Sequence, residues 1–179
     1  LFTFMYLGNI GPVAGVDLLL EAFNIAALNK CRLVIAGSGS QKKILQEKVN
    51  RMKLNRVEFW DVPNGKVPEI QAQADVMLLP VKSGAAVSSI PSKLPAYMFS
   101  KKPIIACIDY DSETARVINV ANCGWVLIPE NSDMLAEKFR SISAASSDML
   151  VEKGTNGFHY AIENLSKKAN LKILVNTII

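Results

Sequence analysis

One segment of the sequence, residues 74–109, restricts the possible folds sharply because it is typical of a strand, a loop, a helix and a second strand in succession. The apolar runs Val76–Leu79 and Pro103–Ile108 are short and almost free of polar residues, as expected for strands buried on both faces. Strands of this kind occur in parallel sheets that helices cover on both sides. The small and polar residues 82–89 predict the loop after the first of these strands.

The predicted helix of this segment begins near Pro91, which suits a first helical turn because its missing N–H group needs no partner there. Ser89 is placed to cap it. One face of the helix carries the apolar residues Leu94, Tyr97 and Met98. A loop that leaves the carboxyl end of a parallel strand and enters a helix offers free N–H groups to anions. Open α/β sheets bind ligands at this edge, so the segment is the first candidate for a binding site.

Strand and helix patterns alternate along the rest of the chain. Further strands are predicted at residues 2–7, 31–36, 57–60 and 125–128. Further helices are predicted at residues 16–28, 40–52, 67–73, 111–121, 132–144 and 147–166. Ser132 is the predicted cap of the helix at residues 132–144. The segment 147–166 is either one helix or a pair of helices interrupted at Gly154 or Gly157. Such alternation predicts βαβ units with right-handed crossovers. The expected fold class is α/β, a doubly wound parallel sheet of six strands with helices on both faces.

Length and hydropathy favour one folded domain. The chain has 179 residues, of which 50% are hydrophobic, and a mean hydropathy of +0.21, which suffices for a sizeable core. No apolar run approaches the roughly 20 residues that span a bilayer, and no signal peptide precedes the first strand pattern. Because the sequence opens with Leu1 directly before that pattern, we expect a fragment of a longer protein. The expected location of that protein is the cytoplasm.

The chain is mildly basic, with a net charge of +4 and a pI near 9.0. This balance suits an anionic ligand, a peripheral contact with the inner face of a membrane, or simply a basic surface. It does not favour nucleic acid, because no dense basic run with interleaved aromatic residues occurs. Three lysine pairs are expected on solvated faces: Lys42-Lys43, Lys101-Lys102 and Lys167-Lys168.

Cysteine and histidine are too scarce for several kinds of chemistry. Cys31, Cys107 and Cys123 have no metal-binding spacing, and we expect free thiols in a reducing compartment, buried in or beside strands at Cys31 and Cys107. His159 is the one histidine and falls in an amphipathic helical pattern. A zinc site or a Cys–His nucleophile therefore has almost no residues to use, and we predict no metal.

Glycines follow the first two predicted strands, where nucleotide-binding loops often lie. Gly8, Gly11 and Gly15 lack the G-x-G-x-x-G spacing of a dinucleotide site, and no P-loop lysine motif is present. Gly37 and Gly39 follow the second strand without a third glycine. These glycines predict tight strand-to-helix turns, which leaves open a close approach of a ligand to the same turns.

The chain contains, in this order, the stretches GNIGPVAGVDLLLEAF, CRLVIAGSGS, NRVEFWDVPNGKVPEIQAQADVMLLPVKSGAAVSSIPSKLPAYMFSKKPIIA and GTNGFHYAIENLS. Together they resemble the C-terminal half of a group 1 (family 4) glycosyltransferase of the two-domain GT-B fold. The PSKL before the central helix is similar to members that add amino sugars in bacterial surface-polysaccharide synthesis. The resemblance implies the strand order 3-2-1-4-5-6 and a single donor-binding domain over residues 1–179, without the N-terminal acceptor domain.

In this family the domain binds the nucleotide-sugar donor. The resemblance implies that Gly8 and Asn9 approach the diphosphate and sugar, and that Val62 and Pro63 lie against the base. It implies a reaction that moves the sugar to a saccharide or lipid-linked acceptor with retention of configuration, and no metal or cofactor.

The resemblance also implies that the segment from Ser88 to Lys93 holds the diphosphate. The residue types support this independently, because the hydroxyls of Ser88 and Ser89, the helix N–H groups and the Lys93 ammonium all suit an anion. The alternative for Lys93 is a solvated lysine on a helix surface.

The sequence departs from the family at several positions. Two glutamates that usually lie eight positions apart around the central helix are replaced by Ser88 and Ala96, and alanine cannot bind ribose hydroxyls. Asn9 and Ala14 stand where many members have arginine and lysine. Pro95 lies inside the predicted helix, where it is expected to remove a backbone bond. Two functions therefore stay open: the donor half of an enzyme, inactive without the acceptor domain, or a degenerate domain with a binding or assembly role.

Overall fold

The structure is a computed structural model, and it describes residues 1–84 and 91–166. The strands in this part of the chain are β1 (Phe2–Leu7), β2 (Cys31–Ala36), β3 (Val57–Trp60), β4 (Val76–Pro80), β5 (Ile104–Cys107) and β6 (Gly124–Leu127). The helices are α1 (Val16–Ala26), α2 (Lys42–Met52), α3 (Val67–Gln71), α4 (Lys93–Phe99), α5 (Glu113–Val120), α6 (Ser132–Ser143) and α7 (Ser147–Tyr160), followed by a π-helical turn (Ala161–Leu165).

The strands form one parallel sheet in the order β3-β2-β1-β4-β5-β6, which confirms the predicted topology. The first half of the chain winds outward from β1 to β3, and the second half winds in the opposite direction from β4 to β6. The switch point between the two halves therefore lies between β1 and β4 at the centre of the sheet.

Helices cover both faces of the sheet, as predicted. Because side chains alternate along a strand, Phe4 and Tyr6 of β1 enter one core, whereas Met5 and Leu7 enter the other. Helices α1, α2 and α6 close the first core, where the rings of Phe4 and Phe139 lie 4.4 Å apart. Helices α3, α4 and α5 close the second core. Because the helices cover the faces, the loops lie where the strands begin and where they end. These two sides of the sheet are called its amino edge and its carboxyl edge.

Helix α4 differs from its prediction at its start. It begins at Lys93 rather than near Pro91, and Ser92 occupies the N-cap position without a side-chain hydrogen bond. The predicted cap, Ser89, lies outside the described residues. The expected loss of a backbone bond at Pro95 is wrong, because Pro95 is the third residue of the helix. The first four N–H groups of a helix have no partner within it in any case.

Helix α6 is capped one residue earlier than predicted. Ser132 is its first residue, and the cap is Asn131, whose Oδ1 accepts a hydrogen bond from the Met134 N–H group at 2.9 Å. The prediction of Ser132 as the cap is therefore wrong, because both residue types suit the position and only the backbone conformation selects between them.

Helix α7 is continuous through Gly154 and Gly157, so it is not divided at either glycine. A Cβ atom on Gly154 would overlap the Lys101 carbonyl oxygen, and one on Gly157 would lie 2.9 Å from the Cβ atom of Cys123. The glycines therefore allow α7 to cross close to the rest of the domain. The helical geometry changes only at the π-helical turn, Ala161–Leu165.

The three cysteines are buried free thiols, as predicted, and burial raises the pKa of each. Within residues 1–84 and 91–166, no helix is both long and apolar enough to cross a membrane. The same residues contain no group of three or more His, Cys, Asp or Glu side chains arranged to hold a metal ion.

Candidate functional site

The two central strands separate at the carboxyl edge of the sheet, and the gap between their ends is called the crevice below. β1 pairs with β2 as far as Leu7, but it pairs with β4 only at Phe4 and Met5. The central strands therefore separate before β1 ends. Ligands of open α/β sheets bind at this switch point, so the side chains around the end of β1 are the candidates for binding.

The Tyr97 side chain of α4 reaches the end of β1 from the second core. Its hydroxyl donates to the Leu7 carbonyl at 2.8 Å and accepts from the Leu7 N–H group at 3.1 Å. The next residue, Gly8, donates its N–H to Ala36 of β2 at 3.0 Å. Since successive residues of a strand point their backbone groups to opposite neighbours, the Leu7 groups face β4. Tyr97 therefore takes the place of a strand partner where β4 has moved away.

One helical turn before Tyr97, the side chain of Lys93 extends across Gly8. A Cβ atom on Gly8 would overlap Cε of Lys93, so the lysine side chain lies directly over the Gly8 backbone. The Lys93 Nζ lies 5.7 Å from the centroid of the Tyr6 ring, and the Tyr6 hydroxyl donates to the Asn9 carbonyl at 2.5 Å. The structure thus brings together three residues that the resemblance assigns to the diphosphate: Gly8, Asn9 and Lys93.

The Lys93 ammonium is half-buried, and burial lowers its pKa. Among the described residues it has no carboxylate partner, whereas Lys42 bonds to Asp61 at 2.6 Å. Tyr6 supplies no negative charge either, because burial raises the pKa of its hydroxyl to about 12. A partly desolvated cation without a counter-ion is unfavourable. An anion bound beside Lys93 would offset that cost.

The glycines after β2 support the Gly8 loop. A Cβ atom on Gly37 would overlap the Gly8 carbonyl oxygen, and one on Gly39 would overlap that of Ile10. The Ile10 N–H group donates to the Ser38 carbonyl at 2.8 Å. These glycines form tight turns, as predicted. The close approach that they permit is between two loops of the protein, which fixes the position of Gly8.

The loop after β3 lies at the same edge of the sheet, two strands from β1. Val62 is partly buried against the second core, and Pro63 is exposed. Lys42 donates to Asp61 at 2.6 Å and to the Gly37 carbonyl at 3.0 Å, and its hydrogen bond lowers the pKa of Asp61. The prediction that Lys42 lies on a merely solvated face is therefore wrong. Lys42 ties the loop after β3 to the loop after β2.

The loop after β4 is anchored by Asp109. The Asp109 carboxylate accepts from the Ser83 hydroxyl at 3.2 Å and from the Gly84 N–H group at 3.0 Å. The predicted site residues Ser88 and Ser89 lie outside the described residues.

The structure also shows the surroundings of Ala96 and Ala14, which the family resemblance places where many members carry a charged residue. Ala96 lines an apolar groove of about 340 Å³ between α3 and α4, together with Val67 and Phe99. The described lining of this groove contains no charged side chain. Ala14 is partly buried against the first core. An alanine side chain supplies neither the charge nor the hydrogen bonds of the glutamate or lysine that many family members have at these two positions.

Sequence reasoning missed three residues that shape this edge: Tyr97 as a hydrogen-bonding group, Lys42 and Asp109. Tyr97 was placed correctly on the apolar face of its helix, and its hydroxyl was the only sign of a polar role. Asp109 directly follows an apolar strand pattern. A carboxylate at such a position could have been predicted to accept hydrogen bonds from a neighbouring loop. Lys42 carried no distinguishing sequence signal.

The doubly wound sheet with its central crevice defines a Rossmann-like domain. Residues 2–145 match the family described as glycosyl transferases group 1, so the chain belongs to that family. The probable glycosyltransferase WbjE of Pseudomonas aeruginosa is 26% identical over 139 residues, which are 75% of this chain and 34% of WbjE. The chain therefore spans about a third of the length of this curated relative.

Solved structures show the same fold. The C-terminal domain of the group 1 glycosyl transferase LpcC from Francisella tularensis matches with a TM-score of 0.76 at 17% identity, covering 93% of this chain and 87% of that one. HepE of Anabaena, solved in complex with UDP, matches with a TM-score of 0.82 at 17% identity, covering 98% of this chain and 48% of HepE. The chain thus has the fold of one Rossmann-like half of a GT-B glycosyltransferase.

Proposed function

We propose that residues 1–179 form the donor-binding half of a glycosyltransferase, in which Gly8, Asn9 and Lys93 hold the diphosphate of a nucleotide sugar. One observation carries this proposal: the half-buried Lys93 ammonium lies across Gly8 at the switch point, without a carboxylate partner among the described residues. A diphosphate would supply the missing negative charge. Hydrogen bonds to charged groups contribute about 1.5–3 kcal/mol each.

The relatives support the same class of ligand. HepE has been solved with UDP and with UDP-glucose, and WbjE is described as a probable glycosyltransferase. By the family resemblance, Val62 and Pro63 lie against the base, and Ser88 and Ser89 complete the diphosphate site.

The proposed reaction moves the sugar from the diphosphate to a saccharide or lipid-linked acceptor, with retention of configuration. Lys93 stabilises the negative charge that develops on the leaving diphosphate. We place this reaction in bacterial surface-polysaccharide synthesis, in the cytoplasm or at the inner face of the membrane. The acceptor site belongs to residues outside 1–179. The chain alone is expected to transfer no sugar, because transfer needs donor and acceptor in near-attack geometry.

A second candidate is a degenerate domain that keeps the fold and serves binding or assembly. Ala14 and Ala96 favour it, since one packs against the core and the other lines an apolar groove. Such a domain would bind nucleoside diphosphates weakly or not at all, and this separates it from the first candidate.

Titration calorimetry with inorganic pyrophosphate, UDP, GDP and ADP tests the proposal. Lys93→Ala should weaken binding by roughly 10- to 100-fold, the equivalent of one charge-assisted hydrogen bond. Lys43→Ala, which removes an exposed lysine of α2, is the matched control and should bind as the parent does. A parent that binds none of these ligands would favour the degenerate domain. Equal binding by Lys93→Ala and the parent would place the phosphates elsewhere.

A further inference from the structure

We propose that Tyr97 is a positioning residue for the anion site: its hydroxyl holds the end of β1 away from β4 and fixes the Gly8 backbone beneath the Lys93 side chain. The inference rests on the proposed function, because it concerns the same site. Tyr97 is buried and acts through Leu7 and Gly8 rather than by touching a ligand.

The geometry of α4 couples the two side chains. Lys93 and Tyr97 are four residues apart in one helix, so they project to the same side. Lys93 passes over Gly8, and Tyr97 bonds to Leu7, the residue before it. One turn of helix therefore contacts Leu7, the last residue of β1, and Gly8 directly after it. A shift of α4 along β1 would disturb both contacts together.

The Tyr97 hydroxyl also permits the crevice to exist. Without it, the Leu7 N–H and carbonyl groups would be buried and unpaired, at a cost of about 1–3 kcal/mol for each group. The strand could recover these bonds by pairing with β4 beyond Met5, and this would narrow the gap. The hydroxyl satisfies both groups and leaves the central strands apart.

Neighbouring contacts hold the Tyr97 residue in this position. Its ring is fully buried in the second core, and the Ser100 hydroxyl donates to the Tyr97 carbonyl at 2.6 Å. Burial raises the pKa of Tyr97, so the hydroxyl keeps the proton that it donates to Leu7. Pro95 fixes one backbone angle in the first turn of the same helix.

A double-mutant cycle tests the inference. Calorimetric titration with inorganic pyrophosphate compares the parent, Tyr97→Phe, Lys93→Ala and the double variant. We expect Tyr97→Phe to weaken pyrophosphate binding about tenfold, within the range measured for coupled neighbours. In the Lys93→Ala background the same change should cost clearly less, because only the Gly8 and Asn9 backbone then remains to be misplaced. A merely structural role of Tyr97 would not produce this dependence on Lys93.

Ile118→Val is the control for lost stability. Ile118 is buried in the same core and lies on α5, away from β1, so its truncation destabilises the fold modestly without changing the crevice. Its pyrophosphate binding should equal that of the parent. The inference about Tyr97 would be overturned, without affecting the proposed function, if Tyr97→Phe bound pyrophosphate as the parent does. The same holds if Tyr97→Phe lost equal pyrophosphate affinity with and without Lys93. A parent that binds no pyrophosphate would overturn the proposed function as well.

A measurement on the parent covers the case in which Tyr97→Phe does not fold. If the bonds to Leu7 favour anion binding, binding must strengthen those bonds by the same factor. Saturating pyrophosphate should therefore slow hydrogen exchange of the Leu7 amide about tenfold relative to the Val34 amide in β2. An unchanged ratio of the two exchange rates would refute the coupling.

Discussion

In the proposed function the Lys93 ammonium binds the diphosphate, but in the free protein its burial costs stability. Burial removes water from this group and lowers the pKa of Lys93 in the folded protein. Lysines of the unfolded chain keep a pKa of about 10.4, so the unfolded state binds this proton more tightly. The cost is present at every pH below the lowered pKa of the folded state. It is relieved as the pH rises toward the value of the unfolded state.

We therefore expect Lys93→Met to raise the melting temperature of the ligand-free protein near neutral pH, because methionine keeps the length of the side chain without the charge. The parent should also gain stability between its lowered Lys93 pKa and about pH 10.4, and the variant should lack that gain. Thermal unfolding over this pH range measures both effects, with exposed Lys43→Met as the control. A lower melting temperature for Lys93→Met than for Lys43→Met would contradict the argument.

Ala96 offers a gain-of-function test at a single residue. A glutamate at this position would accept hydrogen bonds from ribose hydroxyls, worth about 1.5–3 kcal/mol, against about 1–2 kcal/mol for ordering its side chain. We expect Ala96→Glu to tighten, by about tenfold at most, the binding of whichever nucleoside diphosphate the parent binds. Since Pro95 lies in the first turn of α4, it does not turn position 96 away from the groove.

Calorimetry with that nucleoside diphosphate and with pyrophosphate checks the Ala96→Glu prediction. Pyrophosphate has no ribose, so its binding should not improve. If the nucleoside diphosphate binds no better to the variant than to the parent, the ribose does not lie beside α4.

Among the helices, α6 depends on its N-cap and on its contact with α1. Asn131 caps α6, and Arg140 near its end donates to the carbonyls of Ile25 and Ala26 at the end of α1. Loss of an N-cap side chain costs about 1 kcal/mol, so Asn131→Ala should lower the melting temperature by roughly 2–4 °C for a domain of this size. Asn131→Ser keeps a capping oxygen and should lose much less. An equal loss for both variants in thermal unfolding would show that the cap is not the cause.

The limits of sequence reasoning are visible at the ends of the elements. β1, β2 and β3 could be predicted to the residue, because each apolar run ends at a turn or polar residue. The start of α4 could not, since Pro91 suits a first helical turn and also the turn that it forms here by accepting a bond from the Leu94 N–H group at 2.9 Å. The π-helical turn after α7 has no counterpart in the hydrophobic pattern.

At the level of the whole molecule, alternation and family resemblance together predicted the sheet order, because right-handed crossovers leave few alternatives. They also placed Gly8 and Lys93 at one edge, where the structure shows them in contact. The role of Tyr97 could not be predicted, because its partner, Leu7, lies 90 residues away in the sequence. Periodicity indicates which face of a helix is buried, but not which polar atoms meet across the core.

The central claim is that an anion binds across Gly8, beside Lys93, at the point where the sheet changes its winding direction. NMR titration of the isotope-labelled chain with inorganic pyrophosphate tests it most directly, because this probe requires no assumption about base or sugar. The account predicts that the Gly8 and Asn9 amides and the Lys93 side chain shift together with one dissociation constant, while Asn55 at the opposite edge of the sheet stays unchanged. Pyrophosphate shifts confined to other residues, or none at saturating concentration, would contradict it.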